Sequence, residues 1–123
     1  MTEAQDHDFP VTKVIGKLLT AVTFVMDYVK LQFEHPVLTV LTTLAIHDDE
    51  IETETGMPGY ADALFRQIGK SVSQASMTPG RDVRIQFDDG STLVVSLTTQ
   101  NDAGPELAIF EIPPDGMWIL RED

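Results

Sequence analysis

One short run of the chain, residues 83–97, constrains the fold more than any other part. Apolar and polar residues alternate from Val83 to Phe87, and a β-branched, apolar run follows from Thr92 to Leu97. Asp89-Gly90 lies between the two runs, and this dipeptide is typical of a type I′ turn, which needs positive φ at both central residues. The pattern predicts an antiparallel β-hairpin.

The length and composition indicate a single folded domain. With 123 residues, of which 42% are hydrophobic, the chain is long enough to bury one core. It contains no cysteine, which excludes disulfides, thiolate metal sites and cysteine nucleophiles. The N-terminal residues are acidic, unlike the basic start of a secretory signal, and no apolar run is long enough to span a bilayer. The sequence therefore predicts a cytoplasmic protein.

Acidic residues dominate the charge, and they are segregated. Residues 1–9 contribute −3, residues 47–56 contribute −5 and residues 101–123 contribute −5, and the remaining residues sum to +1, which gives the formal net charge of −12. Only eight lysines and arginines are present, and binding to phosphates or to an anionic membrane requires a basic surface. We therefore expect neither nucleic acid nor membrane as a partner, whereas a basic protein partner fits the charge.

Two stretches have the periodicity of short helices. Apolar residues recur at helical spacing after Pro10, and again from Tyr60 to Ile68, where Gly69 follows as a helix-ending residue. The first stretch is short and contains Gly16, so extended chain is its alternative. Most of the rest alternates with period two or is β-branched, including a strand predicted over Val37 to Ile46.

The two halves of the chain resemble each other. Ile15-Gly16-Lys17 recurs as Ile68-Gly69-Lys70, and Val29-Lys30-Leu31-Gln32-Phe33 recurs as Val83-Arg84-Ile85-Gln86-Phe87. Chance similarity between β-hairpins is the alternative, but the shared order of elements favours a genuine repeat.

The predicted fold class is α+β: two tandem helix–strand–strand–strand units form one antiparallel-sheet domain, with the helices packed on the sheet. We expect residues 1–9 to be a mobile acidic tail and residues 10–123 to be a single domain. Within it lie pseudo-repeats at about 10–46 and 60–97, followed by a C-terminal strand segment at 106–121.

The Ile-Gly-Lys motif at residues 68–70, followed by a strand and the Phe87-Asp88-Asp89-Gly90 hairpin, is similar to small uncharacterised bacterial domains, among them suspected immunity proteins. The similarity covers about residues 68–97 and, more faintly, 15–46. It implies a protein-interaction role and no catalytic residues.

The stretch from His47 to Gly59 is predicted to be a loop, and it holds the candidate binding residues. A long acidic loop of this kind is either functional or only solubilising. The candidate binding residues are its acids at 47–56: Asp48, Asp49, Glu50, Glu52 and Glu54. His47 with the adjacent acids is the only run with metal-ligand chemistry, but neighbouring residues of an extended chain point in opposite directions. We therefore predict no metal, no cofactor and no catalytic residue.

Three functions remain open, and binding of a small ligand in a pocket between sheet and helix is a further alternative. The favoured one is a small, acidic, non-catalytic protein-interaction domain of the immunity-protein or inhibitor type, with a basic protein partner. The first alternative is a structural homo-oligomer, such as a homodimer, because an open sheet edge would invite self-pairing. The second is a small metal-dependent enzyme centred on His47. Motifs for serine nucleophiles and for phosphate-binding loops do not occur.

Overall fold

The structure, a computed structural model, describes residues 10–48, 52–98 and 106–121. These residues form a 3₁₀ turn, one short helix (α1) and ten strands (β1 to β10). The 3₁₀ turn is Val11–Val14 and α1 is Tyr60–Phe65. The strands, in chain order from β1 to β10, are Ala21–Val25, Tyr28–Gln32, Val37–Val40, Leu44–His47, Glu52–Glu54, Val72–Thr78, Asp82–Phe87, Thr92–Ser96, Glu106–Ile112 and Gly116–Arg121.

The strands form two five-stranded sheets, and every strand pair in them is antiparallel. The first sheet has the order β1-β2-β3-β9-β10, and the second has the order β5-β4-β8-β7-β6. Each sheet therefore consists of a three-stranded meander and a hairpin that comes from elsewhere in the chain. Among the described residues, Leu18 and Ser71 also form an isolated antiparallel bridge outside the sheets.

A single strand was predicted over Val37 to Ile46, but the structure divides it between the sheets. β3 pairs with β2 and β9, whereas β4 pairs with β5 and β8. A bend at Thr42 separates them, and the backbone there is still hydrogen-bonded, because Thr43 accepts from Ser96 N at 2.9 Å. Both strands are β-branched and apolar because each contributes to a core shared by the two sheets.

One hydrophobic core is built from the inward faces of both sheets. Its largest fully buried side chains include Phe33 and Phe110 from the first sheet's side and Phe87 from the second. Trp118 is partly buried and packs against this core, 6.4 Å from Phe110 between ring centroids. The alternation of buried and exposed residues along β7 and β8 reflects one face turned inward and one turned to solvent.

The predicted α+β class is wrong: the described chain is mostly β, and it has no layer of helices packed on a sheet. The helix expected over Tyr60–Ile68 ends at Phe65, and the segment after Pro10 makes only a 3₁₀ turn. Both runs are shorter than the roughly 12–15 residues that an isolated helix needs, so packing decides how far each extends, and only Tyr60–Phe65 forms an α-helix. Gly16 and Gly69 then take φ of 85° and 94°, which an α-helix cannot accommodate.

The hairpin of β7 and β8 is present, but its turn differs from the predicted type I′ form. Gly90 has φ of 92°, whereas Asp89 does not have positive φ. Phe87 N donates to Ser91 O at 2.8 Å, and Gly90 N donates to Phe87 O at 2.9 Å. This pattern is a three-residue loop with the glycine in the left-handed position. Asp89 is free to use its carboxylate instead, which accepts from Ser91 N at 3.0 Å.

The division into pseudo-repeats at about 10–46 and 60–97 stays a prediction. The predicted tail, residues 1–9, lies outside the described residues. Within them, no helix is long and apolar enough to cross a membrane.

Candidate functional site

The acidic stretch 47–56, predicted to be a loop, is largely a hairpin. β4 and β5 pair with His47 opposite Glu52, so only residues 48–51 connect them. His47 Nδ1 lies 2.9 Å from Glu52 Oε1, and this contact closes the hairpin at the surface. The acids of the stretch are therefore placed by strand geometry, and they do not share one environment.

Asp48 is held against the end of α1. One of its carboxylate oxygens, Oδ2, lies 3.4 Å from Arg66 Nη2 and 3.4 Å from Gln67 Nε2, and the side chain is only 14% exposed. Such a carboxylate anchors the hairpin and is poorly placed to receive a partner. The next two predicted binding residues, Asp49 and Glu50, lie outside the described residues.

Of the predicted binding residues that the structure describes, Glu52 and Glu54 are open to solvent. They alternate on β5 with Thr53, which is buried and whose hydroxyl donates to Pro58 O at 3.4 Å. Because side chains alternate across a strand, both glutamates project from the same outward face. Together they form a small acidic surface on an edge strand of the second sheet.

The described residues contain no group of three or more histidine, aspartate or glutamate side chains that could hold a metal ion. His47 and Glu52 are a pair rather than a cluster. The metal-dependent alternative also involves Asp49 and Glu50, which lie outside the described residues, so it stays a prediction.

A polar network connects the acidic hairpin to the turn of the β7–β8 hairpin. Its centre is Gln67, a fully buried side chain just after α1. Gln67 Nε2 donates to Ala63 O at 3.0 Å, and Gln67 Oε1 accepts from Lys70 Nζ at 2.9 Å and lies 2.9 Å from Ser91 Oγ. The same Gln67 Nε2 also lies 3.4 Å from Asp48 Oδ2. Both polar atoms of the Gln67 side chain are therefore hydrogen-bonded, as buried polar groups usually are.

Lys70 and Ser91 form a serine–lysine pair, but its geometry is structural. Lys70 Nζ donates to Asp89 at 2.7 Å, to Gln67 at 2.9 Å and to Ser91 at 3.2 Å, which uses all three ammonium hydrogens. Ser91 is also almost fully buried. An ammonium group so engaged cannot accept the serine proton, so the pair does not provide an activated nucleophile.

Asp89 carries the charge that balances Lys70. Hydrogen bonds from Lys70 and then from the Ser91 hydroxyl and amide lower the pKa of Asp89 to about 2. The carboxylate is therefore ionised throughout the neutral range, and it fixes the turn to the end of α1.

An apolar groove of about 170 Å³ opens where the first sheet meets α1. Its first wall is the β1–β2 hairpin, from Phe24 to Val29, and the opposite side is Thr55 and Tyr60. Phe24 contacts two aromatic rings of α1 edge-on, with centroids 6.0 Å from Tyr60 and 5.4 Å from Phe65. Phe24 is 40% exposed and Phe65 is 48% exposed, so this aromatic cluster is open to solvent.

The groove has polar groups at defined places. Burial raises the pKa of Tyr60, and the side-chain hydrogen bond with Thr55 partly opposes this. Asp27 belongs to the groove lining, and Glu54 immediately precedes the lining residue Thr55. A concave apolar surface with a few hydrogen-bonding groups and the acid Asp27 in its lining suits the binding of an apolar side chain that has a cation beside it.

The sequence did not predict that Phe24 and Phe65 would be exposed at this groove. Phe24 lies in a run of period-two alternation, and nothing local shows that it ends up at the border of the core. The apolar stripe predicted for a longer helix included Leu64 and Phe65; Leu64 is buried, together with Ala63, but Phe65 is exposed. The best available signal was Met26, an apolar residue in a turn, which is 93% exposed.

Comparison of the chain with models of protein families, with curated proteins and with solved structures finds no match. The similarity to small bacterial domains stays a prediction.

Proposed function

We propose that this protein is a non-catalytic protein-binding domain for a basic partner, of the immunity-protein or inhibitor type. The observation that carries the proposal is the exposed aromatic groove with the acid Asp27 in its lining. Glu54 immediately precedes Thr55, another lining residue. A cytoplasmic location remains a prediction of the sequence.

The composition of this surface is typical of a recognition site. Aromatic side chains that are partly exposed supply most of the binding energy at protein interfaces, and a polar rim surrounds them. Phe24, Phe65 and Met26 would provide the apolar contact. The partner would present an aliphatic or aromatic side chain to the groove, with lysine or arginine residues directed toward the acids.

The charge of the whole chain supports the same partner. With a net charge of −12, the protein attracts basic proteins over a distance set by ionic strength and repels acidic ones. Association should therefore be fast at low salt and weaker at high salt. Glu52 and Glu54 are the described acids best placed to contribute, because both are exposed on β5.

The test is capture of partners on the immobilised full-length protein at low and high salt, followed by purification of a captured protein and calorimetric measurement of its Kd. The Glu52→Gln/Glu54→Gln variant should bind about tenfold more weakly at low salt. The matched control is Asp88→Asn/Asp115→Asn, which removes the same charge at two exposed turn positions away from β5.

A second variant tests the apolar contact with the partner separately from the effect of charge. Phe65→Ser should weaken binding at every salt concentration, because it removes an apolar contact whose strength does not depend on screening. The proposal is wrong if no protein is retained at low salt, or if the charge-matched control lowers the affinity as much as the β5 variant does.

A further inference from the structure

We infer that β1 is a self-association edge, on which β1 of a second copy pairs in antiparallel orientation to form a homodimer. This inference does not rest on the proposed function, because it concerns the backbone edge of the first sheet and needs no other partner. It follows from a comparison of the four sheet edges, from the register that β1 allows with itself and from the side chains left exposed around it.

Among the described residues, two of the other three edge strands carry clear features that discourage pairing. β5 is only three residues long and displays two glutamates. β6 has a register shift between Val72 and Gln74. β10 ends in the charged residue Arg121, beside a register shift whose extra residue, Leu107, lies in β9. Short length, charge and bulges are the usual protections of a sheet edge.

β1 has none of these protections. Its sequence, Ala-Val-Thr-Phe-Val, contains no charge and no proline, and its pairing with β2 runs without a register shift from Ala21 to Val25. Within the described residues, no strand pairs with its outer edge. A regular, apolar and uncharged edge is a template for another strand.

The free hydrogen-bonding groups of β1 can be assigned from its register. Val25 pairs with Tyr28 across the two-residue turn, and hydrogen-bonded pairs alternate along an antiparallel ladder. Ala21, Thr23 and Val25 therefore bond to β2, whereas the N–H and C=O groups of Val22 and Phe24 point to the open edge.

This pattern is self-complementary about Thr23. If two copies of β1 pair antiparallel with Thr23 opposite Thr23, Val22 of each copy lies opposite Phe24 of the other. These are the two residues whose backbone groups are free, so each pair exchanges both hydrogen bonds. An aromatic residue opposite a β-branched residue is also a favourable cross-strand pair.

The same register would cover side chains that are otherwise exposed. Val25 is placed opposite Ala21 of the second copy, and Met26 is placed opposite Thr20. Leu18, which precedes β1, and the residues Phe24, Val25 and Met26 are all large exposed apolar residues in the structure. Exposed apolar side chains gathered along one edge indicate an interaction surface rather than scattered exposure.

Charge gives this dimer a distinctive salt dependence. β1 itself carries no charge, but each copy has a net charge of −12, so two copies repel each other at long range. Salt screens that repulsion and leaves the backbone pairing and apolar contact in place. The dimer should therefore strengthen with salt, whereas binding of a basic partner should weaken.

The experiment is sedimentation equilibrium of the full-length protein alone, up to roughly 1 mM, at low and high salt. Thr23→Lys should reduce dimerisation at least tenfold, because the two lysines would lie opposite each other at the centre of the pairing. Ser76→Lys is the matched control. Ser76 lies 53 residues later on the protected edge strand β6, it is exposed as Thr23 is, and it faces Arg84 across the ladder as Thr23 faces Lys30.

Both lysine variants lower the net negative charge by one, so a difference between them cannot come from overall repulsion. Met26→Lys tests the contact at a turn residue whose side chain supports little of the fold. We expect a dimer that strengthens with salt in the parent protein and in Ser76→Lys, and a monomer in Thr23→Lys with an unchanged circular dichroism spectrum. A parent protein that stays monomeric at high salt overturns the inference, as does an oligomer that Thr23→Lys and Met26→Lys leave intact.

Discussion

Leu18 and Ser71 face each other across an antiparallel bridge and are separated by 53 residues in the chain. The same separation relates Gly16 to Gly69, and the bonds around the bridge come in matching pairs. Gly16 N donates to Val72 O at 2.8 Å, and Gly69 N donates to Leu19 O at 2.8 Å. The bridge thus joins two positions that the predicted repeat, with its offset of 53 residues, would make equivalent.

A second pair of bonds follows the same rule, since Leu19 N donates to Lys70 O at 3.0 Å and Val72 N donates to Lys17 O at 2.9 Å. The sheet orders match as well. β1-β2-β3 is extended by the hairpin β9-β10, and β6-β7-β8 is extended by the hairpin β4-β5. Each half thus contributes a three-stranded meander to one sheet and a hairpin to the other.

If the bridge between Leu18 and Ser71 is an architectural element of the fold, Gly16 and Gly69 beside it should contribute equally to stability. Gly16→Ala and Gly69→Ala should each lower the free energy of unfolding by about 1–2 kcal/mol, because alanine is strained at positive φ. A Cβ would have nothing within 4 Å at either position, so the cost comes from the backbone alone. Urea denaturation measures it.

Asparagine tolerates the left-handed region better than alanine, so Gly16→Asn and Gly69→Asn should recover part of the loss. A large loss at one glycine with none at the other would contradict the equivalence of the two halves.

Individual strands could be predicted from the sequence, but their arrangement in two sheets could not. The β7–β8 hairpin is marked by local alternation and by Asp89-Gly90. By contrast, Val37 to Ile46 shows one uninterrupted β-branched run, although Thr42 and Thr43 carry the chain from one sheet to the other. That division depends on pairing with β9 and β8, which are far away in sequence and leave no local signal.

The polar network makes Gln67 the most sensitive polar residue that we identify. Gln67→Met keeps the side-chain volume but removes the acceptor shared by Lys70 and Ser91 and the donor to Ala63 O. We expect a loss of about 2 kcal/mol in the free energy of unfolding, because buried polar partners would be left unpaired. Chemical denaturation at neutral pH measures it.

Gln74→Met on the exposed part of β6 is the control, with an expected change within about 0.5 kcal/mol. Equal effects of the two substitutions would show that the network adds nothing to stability.

Asp89 should give the protein a specific acid sensitivity. Its pKa is lowered from 3.8 to about 2 in the folded state, so the unfolded chain binds this proton more readily. The stabilisation is complete above pH 4 and is lost as the pH falls toward 2. Asp89→Asn should remove this part of the pH dependence, which urea denaturation between pH 5 and pH 2 would measure.

Asp88→Asn is the control for removing a turn carboxylate, because Asp88 has an exposed side chain beside the network. If the stability curves of the parent protein and of Asp89→Asn stay parallel from pH 5 to pH 2, the Lys70–Asp89 pair does not have the assigned role.

The candidate site was harder to predict than the strands because its residues come together only through the tertiary fold. The charge pattern located Glu52 and Glu54, which are indeed exposed, but it also included Asp48, which Arg66 and Gln67 hold against α1. The groove joins a β1–β2 turn to a residue of α1 more than thirty positions away. Periodicity describes which face of an element is apolar, and it cannot show which apolar face remains uncovered.

Tyr60 offers a spectroscopic probe of that groove. Burial raises its pKa above the usual 10.0, and the hydrogen bond with Thr55 only partly offsets this. The difference in phenolate absorbance between the parent protein and Tyr60→Phe should therefore titrate with a midpoint above pH 10. Because the unfolded chain ionises first, the Tyr60 contribution to stability is complete below pH 10 and is lost as the pH rises through the folded-state pKa.

Circular dichroism at each pH must show that the protein is still folded when the difference signal appears. A midpoint at or below pH 10 in the folded protein would mean that the Tyr60 hydroxyl is solvated and that the groove does not exclude water from it. A partner seated in the groove would change both the solvation of the phenol and the charge around it, so its addition should shift the midpoint. Under the proposed function, the same partner should leave the midpoint unchanged when Phe65→Ser abolishes its binding.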